Sequence, residues 1–182
     1  SVDKANVLET SRLWRQVVTE VGARYPTVRL DHQYVASCAL MLASDPRRFD
    51  VLLAANLFGD IISDEAGAVV GSLGLLPSAS IGGLGGLFEP VHGSAPDIAG
   101  KDLANPIGAV ASAALLLRYA LQAAEEASAV ERAIGDALRA GCRTADLAST
   151  EGGRLPIRCS EMARAIVERM QTKSSASALE SS

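Results

Sequence analysis

The sequence predicts an α/β fold, on three observations. An apolar run, Val51 to Ala55, has the length and composition of a buried strand. Segments with apolar residues at helical spacing stand before and after it, so strands and helices alternate along the chain. A Gly-rich connection, "LPSASIGGLGGLFEPVHGSAPDIAGKDLANP", divides these elements from a helical second half. Connections of that length within a compact domain are usually functional or disordered.

The elements follow in order. Val7 to Arg24 carries apolar residues at 7, 8, 14, 17, 18 and 21, the spacing of a helix with one buried face, and Tyr25-Pro26 ends it. Val28 to Leu30 is a short strand candidate. Tyr34 to Ser44 is helical, with Val35, Ala39 and Leu42 on one face, until Pro46 closes it. After the strand at Val51 comes a helix from Phe58 to Val70, stopped by Gly71 and Gly74. The sequence "GGLGG" at 82–86 reads as a mobile loop. Asn105-Pro106 has the chemistry of a helix start, Asn for the cap and Pro for the first helical position. The helix it opens, Pro106 to about Gln122, is apolar nearly all round, which predicts burial. An amphipathic helix covers Ala127 to Arg139 and a last one Ser160 to Met170. Residues 171–182, ending "SSASALESS", read as a disordered tail. The domain reading is therefore 1–70, 71–170 and the tail 171–182.

A chain of 182 residues can bury a sizeable core, in one domain or two small ones, and 48% apolar content is ordinary for a globular protein. The formal charge of −4 comes with no basic cluster, which argues against nucleic acid and anionic membrane as partners. Cys38, Cys142 and Cys159 are odd in number, far apart and free of any CxxC, so a disulfide frame or zinc site is not predicted. That usage points to a reducing compartment, the cytoplasm. No apolar run has the length of a transmembrane helix and no signal peptide opens the chain. The first residue is Ser, inside the abrupt "SVDKANV", which predicts a piece of a longer protein.

Two stretches carry chemistry. In "NLFGDIISDEAG", Asp60 and Asp64 stand four apart inside an otherwise apolar helix, so both point the same way near the C-terminal end of a strand. Two carboxylates so placed repel unless a cation sits between them, and oxygen-only ligands select a hard ion, Mg²⁺ or Mn²⁺. The alternative is an exposed acidic face with Asp60 as a cap. The Gly-rich connection lacks a GxGxxG between strand and helix, so the Rossmann fingerprint is absent.

The motifs "SVDKANVLE", "NLFGDIISDEAG", "GSLGLLPSAS" and "FEPVHGSAPDIAGKDLANP", in this order, resemble the isocitrate/isopropylmalate dehydrogenase family, on its 3-isopropylmalate branch. The resemblance runs from Ser1 to about Met170 and implies the C-terminal portion of that family's fold, with a dinucleotide site that is not of the Rossmann type. Residues 1–70 would be part of the central, dimerising domain and 71–170 the C-terminal part of the nucleotide-binding domain. The implied activity is NAD-dependent oxidative decarboxylation of 3-isopropylmalate to 2-oxoisocaproate, a step of leucine biosynthesis. The implied assembly is a homodimer with shared active sites. By the same resemblance Asp60 and Asp64 bind Mg²⁺ or Mn²⁺, which holds the substrate. Lys4 matches the catalytic lysine, Val7 the contact for the isopropyl group, and Asn6 a nicotinamide contact; by position alone Lys4 is a surface lysine at a helix start. The nucleotide is held by Glu89, His92, Gly93, Ser94, Ala95, Asp97 and Asn105. Gly93 and Ser94 let backbone N–H groups approach the nucleotide closely, and His92 can stack on adenine. Asp97 accepts hydrogen bonds from ribose hydroxyls and repels a 2′-phosphate, which favours NAD over NADP. Glu89 reads equally well as a partner for a nearby helix N-terminus.

The chain departs from the family pattern in two ways. It lacks roughly the N-terminal half, which carries the arginines that clamp substrate carboxylates and a catalytic tyrosine. And in "LDHQYVASCA", Ala36 stands where the family has its third metal-binding aspartate. Three readings follow: a 3-isopropylmalate dehydrogenase, a catalytically inactive remnant serving as a dimerisation or binding module, or a sister enzyme acting on tartrate or homoisocitrate.

Overall fold

The computed structural model describes residues 1–83, 85–148 and 155–179, with side chains up to residue 171. Two compact units form, Ser1–Val70 and Gly71–Ser182, and each is described by itself.

In the first unit, β1 (Val2–Asp3) lies between two parallel neighbours. On one side it pairs with β2 (Gln33–Tyr34), in the register Val2 to Gln33 and Asp3 to Tyr34. On the other side it forms a parallel bridge to Ala54, and Val2 N–H donates to the Leu53 carbonyl at 2.8 Å. Parallel neighbours need crossovers, and helices supply them. Helix α1 (Glu9–Gly22) leads from β1 to β2, α2 (Val35–Ser44) leads from β2 toward the third extended segment, and α3 (Asn56–Val70) leaves that segment. Val2, Cys38, Leu42 and Ile62 are buried at the centre, with Val35, Phe49, Leu52, Ala54 and Ala66 packed around them. Helix α3 stops where Gly71 takes a positive φ of 106°, a conformation glycine adopts without penalty.

Three expectations for this unit are corrected. Val28 to Leu30 is not a strand: the turn begun at Tyr25-Pro26 still holds Val28, whose N–H donates to the Tyr25 carbonyl, and pairing starts only at Gln33. Val51 to Ala55 is extended but not buried, with Val51 84% exposed. It is bonded on one side only and alternates, Leu52 and Ala54 inward, Val51 and Leu53 outward. Helix α1 buries a different face from the apolar one: Ser11 is buried and Trp14, Arg15 and Val18 are half-buried, while Leu13, Val17 and Val21 are exposed. Its inner face is set by Arg15, which reaches a buried carboxylate.

In the second unit, β3 (Pro77–Ile81) and β4 (Gly86–Pro90) form an antiparallel hairpin, in register from Pro77 with Pro90 to Ile81 with Gly86. Helix α4 (Ile107–Tyr119) packs on both strands and on α5 (Ala124–Arg139), and α5 packs on α6 (Cys159–Leu179). Small residues let these helices approach: Ala114, Ala127, Ala133 and Ala137 are buried with Ile107, Val130, Ile134, Met162 and Ile166. A Cβ at Gly108 would meet the Gly74 and Leu76 carbonyl oxygens at 3.0 Å, so α4 sits as near the preceding chain as a glycine allows.

Here too the sequence reading is corrected. Part of the Gly-rich connection is regular structure, and "GGLGG" is the hairpin turn, closed by Gly82 N–H donating to the Gly85 carbonyl at 2.9 Å; Leu84 lies outside the described residues. Helix α4 starts at Ile107 and is not buried all round, since Leu116 and Tyr119 are exposed. Helix α6 continues to Leu179, beyond Met170, because nothing in residues 171–179 is a Gly or Pro that would end it. Residues 180–182, the end of the expected tail, lie outside the described residues. Among the described residues no helix is long and apolar enough to cross a membrane.

Candidate functional site

In the first unit the three parallel segments end at one edge. Lys4 follows β1 there. Its carbonyl accepts hydrogen bonds from Val7 N–H and Leu8 N–H, both at 2.9 Å, so residues 4–8 form a compact turn. Lys4 is half-buried, whereas Asn6 and Val7 are exposed, Val7 by 62%. The parallel bridge pairs Val2 with Ala54, two residues before Lys4 and two before Asn56, the first residue of α3. Tyr34 pairs with Asp3, so α2 begins at this edge as well, with Ala36 exposed in its first turn. Asp60 and Asp64 occupy successive turns of α3 and both are exposed, while Ile62 and Gly67 are the helix's buried residues. Their exposure is what the alternative of an acidic helix face expects, and it leaves both side chains open to solvent. Among the described residues no cluster of three or more His, Cys, Asp or Glu side chains stands where it could hold a metal. Asp60 and Asp64 are two exposed oxygen donors, the ligand chemistry a hard divalent ion takes while keeping water in its remaining positions.

The turn at Lys4 rests on an ion pair that sequence reasoning missed. The Asp3 side chain is fully buried and accepts from Arg15 Nε–H at 2.8 Å, Arg15 Nη2–H at 3.0 Å and Ala5 N–H at 2.9 Å. The Arg15 guanidinium also lies 4.9 Å from the centre of the Tyr34 ring. Burial pushes the Asp3 carboxyl pKa up, but the Arg15 and Ala5 hydrogen bonds and the guanidinium charge outweigh it and hold it below its ordinary value. No local signal marks the pair: β1 is too short to show alternation, and Arg15 does not register as part of an apolar face.

In the second unit the nucleotide-loop candidates follow the hairpin. Glu89 is exposed on β4, opposite Ser78. His92 is half-buried, its Nδ1 2.9 Å from the Gly93 carbonyl oxygen. Gly93, Ser94, Ala95 and Asp97 are exposed, and Ala95 takes a positive φ of 42°. A Cβ at Gly93 would meet nothing within 4 Å, so the protein's own packing does not demand glycine there. Asn105 stands apart from the others because it is buried. Its Oδ1 accepts the Ile107 N–H at 3.0 Å, capping α4, and its Nδ2 donates to Asp146 Oδ2 at 3.0 Å. The Ser72 hydroxyl donates to the same Asp146 oxygen. Burial raises the Asp146 pKa, and the hydrogen bonds, Ser72 and Asn105 among them, more than reverse that, so the carboxylate form is favoured. Asp146 lies far from the motifs in sequence; Ser72 lies inside one of them, but nothing in either local pattern identifies their contact.

Residues 1–166 match the isocitrate/isopropylmalate dehydrogenase family. A 3-isopropylmalate dehydrogenase of Anaeromyxobacter dehalogenans is 55% identical over 171 residues, covering 93% of this chain and 47% of that protein. One from Pectobacterium atrosepticum is 58% identical over 150 residues, 82% of this chain and 41% of that one. Among solved structures, isocitrate dehydrogenase from Methylococcus capsulatus superposes with a TM-score of 0.86 at 41% identity, over 93% of this chain and 49% of that one. A β-decarboxylating dehydrogenase from Thermococcus kodakarensis gives 0.81 at 40% identity, over 94% and 48%. This chain therefore spans about half the length of the relatives it matches. The resemblance read from the four motifs is borne out, and the chain belongs to the isocitrate/isopropylmalate dehydrogenase family.

Proposed function

We propose that this chain is the C-terminal portion of a NAD-dependent 3-isopropylmalate dehydrogenase that works in leucine biosynthesis. The observation that supports the reading is the shared edge in the first unit, where the bridge from Val2 to Ala54 lies just before both the Lys4 turn and the helix bearing Asp60 and Asp64. Identity supports the substrate branch: relatives named 3-isopropylmalate dehydrogenase reach 55% and 58%, whereas the isocitrate dehydrogenase structure stands at 41%.

In this reading Asp60 and Asp64 hold Mg²⁺ or Mn²⁺. When bound, that ion supplies Lewis-acid stabilisation where negative charge develops on the substrate oxygen. With substrate and NAD bound, Lys4 Nζ would take the substrate hydroxyl proton as the hydride leaves for NAD, and the 3-carboxy-2-keto acid so formed would lose CO₂ to an enolate that is then protonated. Val7 presents an apolar surface to the isopropyl group, and Asn6 meets the nicotinamide from the same turn, whose shape the Asp3–Arg15 pair maintains. Glu89 approaches from the nicotinamide side. The segment His92 to Asn105 takes the adenosine half: His92 stacks on adenine, the exposed backbone at Gly93, Ser94 and Ala95 approaches the nucleotide, Asp97 accepts from the ribose hydroxyls, and Asn105 anchors the end of the segment. The dinucleotide is thus held without a Rossmann fingerprint. Residues 1–70 belong to the dimerising part and residues 71–170 to the nucleotide-binding part. The assembly is a homodimer in the cytoplasm.

Ala36 favours a second reading for the chain, an inactive relative that keeps only binding and dimerisation. Its exposed position at the same edge as Lys4 leaves a methyl group where the family pattern places a carboxylate.

The cofactor assignment is tested in this chain completed with the remaining residues of the Anaeromyxobacter dehalogenans relative. Asp97→Lys with Ile98→Tyr should move the ratio of kcat/KM from NAD toward NADP by at least about tenfold, the order expected when a repelling carboxylate gives way to a cation. An unchanged ratio removes Asp97 from its role.

A further inference from the structure

The segment from His92 to Ala104 is held to the rest of its unit in an unusual way. None of its residues belongs to the apolar core or to the layer packed against it. Its internal hydrogen bonds are local turns: Ile98 N–H to the Ala95 carbonyl at 3.1 Å, Ala99 N–H to Pro96 at 3.4 Å and Lys101 N–H to Ile98 at 3.2 Å. Val91, just before it, is tied by its N–H to the Leu76 carbonyl, and Asn105, just after it, is tied to Asp146 and α4. Between those ends, among the described residues, hydrogen bonds to distant chain converge on one residue, Asp102. Its Oδ1 accepts Ser160 N–H at 2.8 Å, its Oδ2 accepts the Ser160 hydroxyl at 2.6 Å, and its carbonyl accepts Cys159 N–H at 2.9 Å. All three donors are at the start of α6, where helix N–H groups lack partners within the helix.

Asp102 adopts a left-handed backbone conformation, with φ of 59°. Asp tolerates that region better than most residues but still at a cost. The unfavourable conformation turns carbonyl and carboxylate together toward α6, and the hydrogen bonds at the helix start offset it. The Ser160 hydrogen bonds also hold the Asp102 carboxyl pKa below its ordinary value, so the accepting, ionised form persists at neutral pH.

We infer that Asp102 is a positioning residue for the dinucleotide: by tying the loop to the start of α6 it keeps His92 to Asp97 in their binding arrangement. The inference rests on the reading of this segment as the nucleotide loop. A loop that is ordered before the ligand arrives binds more tightly than one ordered by it, in proportion to the population already in the binding form.

The test uses three variants of the chain completed with the remaining residues of the Anaeromyxobacter dehalogenans relative. Asp102→Gly keeps the left-handed backbone without strain and removes the carboxylate. Asp102→Asn keeps the backbone and a hydrogen-bonding side chain of the same shape. Ser160→Ala removes the hydroxyl partner. Hydrogen exchange without ligand should speed up across residues 93–104 in Asp102→Gly, while amides at Met162 and Ile166 keep their protection. Calorimetric titration with NAD should show affinity falling about tenfold in Asp102→Gly, which corresponds to a tenfold smaller binding-competent population. Ser160→Ala should lose less, and Asp102→Asn should stay within about threefold of the parent. Unchanged exchange in Asp102→Gly, or loss of protection throughout α6, overturns the tether. NAD affinity that Asp102→Gly leaves unchanged overturns the positioning role. Exchange that responds as expected in a completed chain, carrying the remaining residues of the Anaeromyxobacter dehalogenans relative, whose parent form does not bind NAD rejects the nucleotide reading itself, and the positioning role with it.

Discussion

Asp3 is a buried carboxylate that ties the turn at Lys4 to α1. It has no contact with solvent, and Arg15 neutralises it through two hydrogen bonds while Ala5 N–H supplies a third. Asp3→Asn should therefore destabilise the first unit by roughly 2–4 kcal/mol, somewhat under the 3–5 typical of a broken buried pair, because the Arg15 side chain retains 32% exposure. The single tryptophan, Trp14, is on α1 and donates to Ser1 Oγ at 3.0 Å, so its fluorescence in a urea titration reports this unit. The pH dependence has a definite sign. The folded-state pKa of Asp3 is depressed below its ordinary 3.8, so its contribution is complete above that value and is lost as pH falls through the folded pKa. Asp146 has the same sign in the second unit. The acid limb of the Trp14-monitored stability curve should flatten in Asp3→Asn; an unaltered limb would mean that Asp3 is not the titrating group. At position 36 the expected change is in metal affinity. Ala36→Asp should tighten Mn²⁺ binding roughly tenfold or more, since each added carboxylate raises a hard-ion site's affinity. Asp60→Asn should weaken binding in both backgrounds. Calorimetry on the four forms decides it, and no response to Asp60→Asn removes the metal from this helix.

Among the elements, those with strong period and clear punctuation were legible in the sequence. Helices α2, α3 and α5 lie close to their expected spans, because Pro46, Gly71 and an amphipathic pattern mark them. The strands were not legible. Strands β1 and β2 are two residues each, too short to express alternation, and Lys4 owes its place to their register. The hairpin was hidden because "PSASI" and "GLFEP" flank a glycine cluster and carry little apolar contrast. Helix α1 misled for another reason: its inner face follows a buried ion pair, and burial of Arg15 does not register as hydrophobic periodicity. Likewise, the motifs marked the loop candidates His92 to Asn105, but its tethers Asp102, Asp146 and Ser72 are recognisable only once their partners are near in space. The close approach of α4 to the chain before the hairpin makes a further prediction. Gly108→Ala places a Cβ 3.0 Å from two backbone carbonyl oxygens, neither of which can swing aside. A cost of about 1–3 kcal/mol is expected, read as a lower urea midpoint by circular dichroism. A variant as stable as the parent would show that α4 can shift away from Gly74 and Leu76.

At the scale of the molecule, the chain holds a lysine turn and a carboxylate helix in one compact unit and a nucleotide-loop candidate in the other. Its membership of the isocitrate/isopropylmalate dehydrogenase family makes sense of all three together. In the proposed function these residues serve the oxidation and decarboxylation of 3-isopropylmalate. The most direct measurement is NADH formation by the chain completed with the remaining residues of the Anaeromyxobacter dehalogenans relative, supplied with Mn²⁺ and NAD. Turnover of 3-isopropylmalate is expected with a higher kcat/KM than isocitrate, homoisocitrate or tartrate, raised by Ala36→Asp and lowered at least about a hundredfold by Lys4→Ala, the usual scale for a lost general base. Equal rates in the Lys4→Ala form, or no NADH from 3-isopropylmalate even with Ala36→Asp in place, would contradict it.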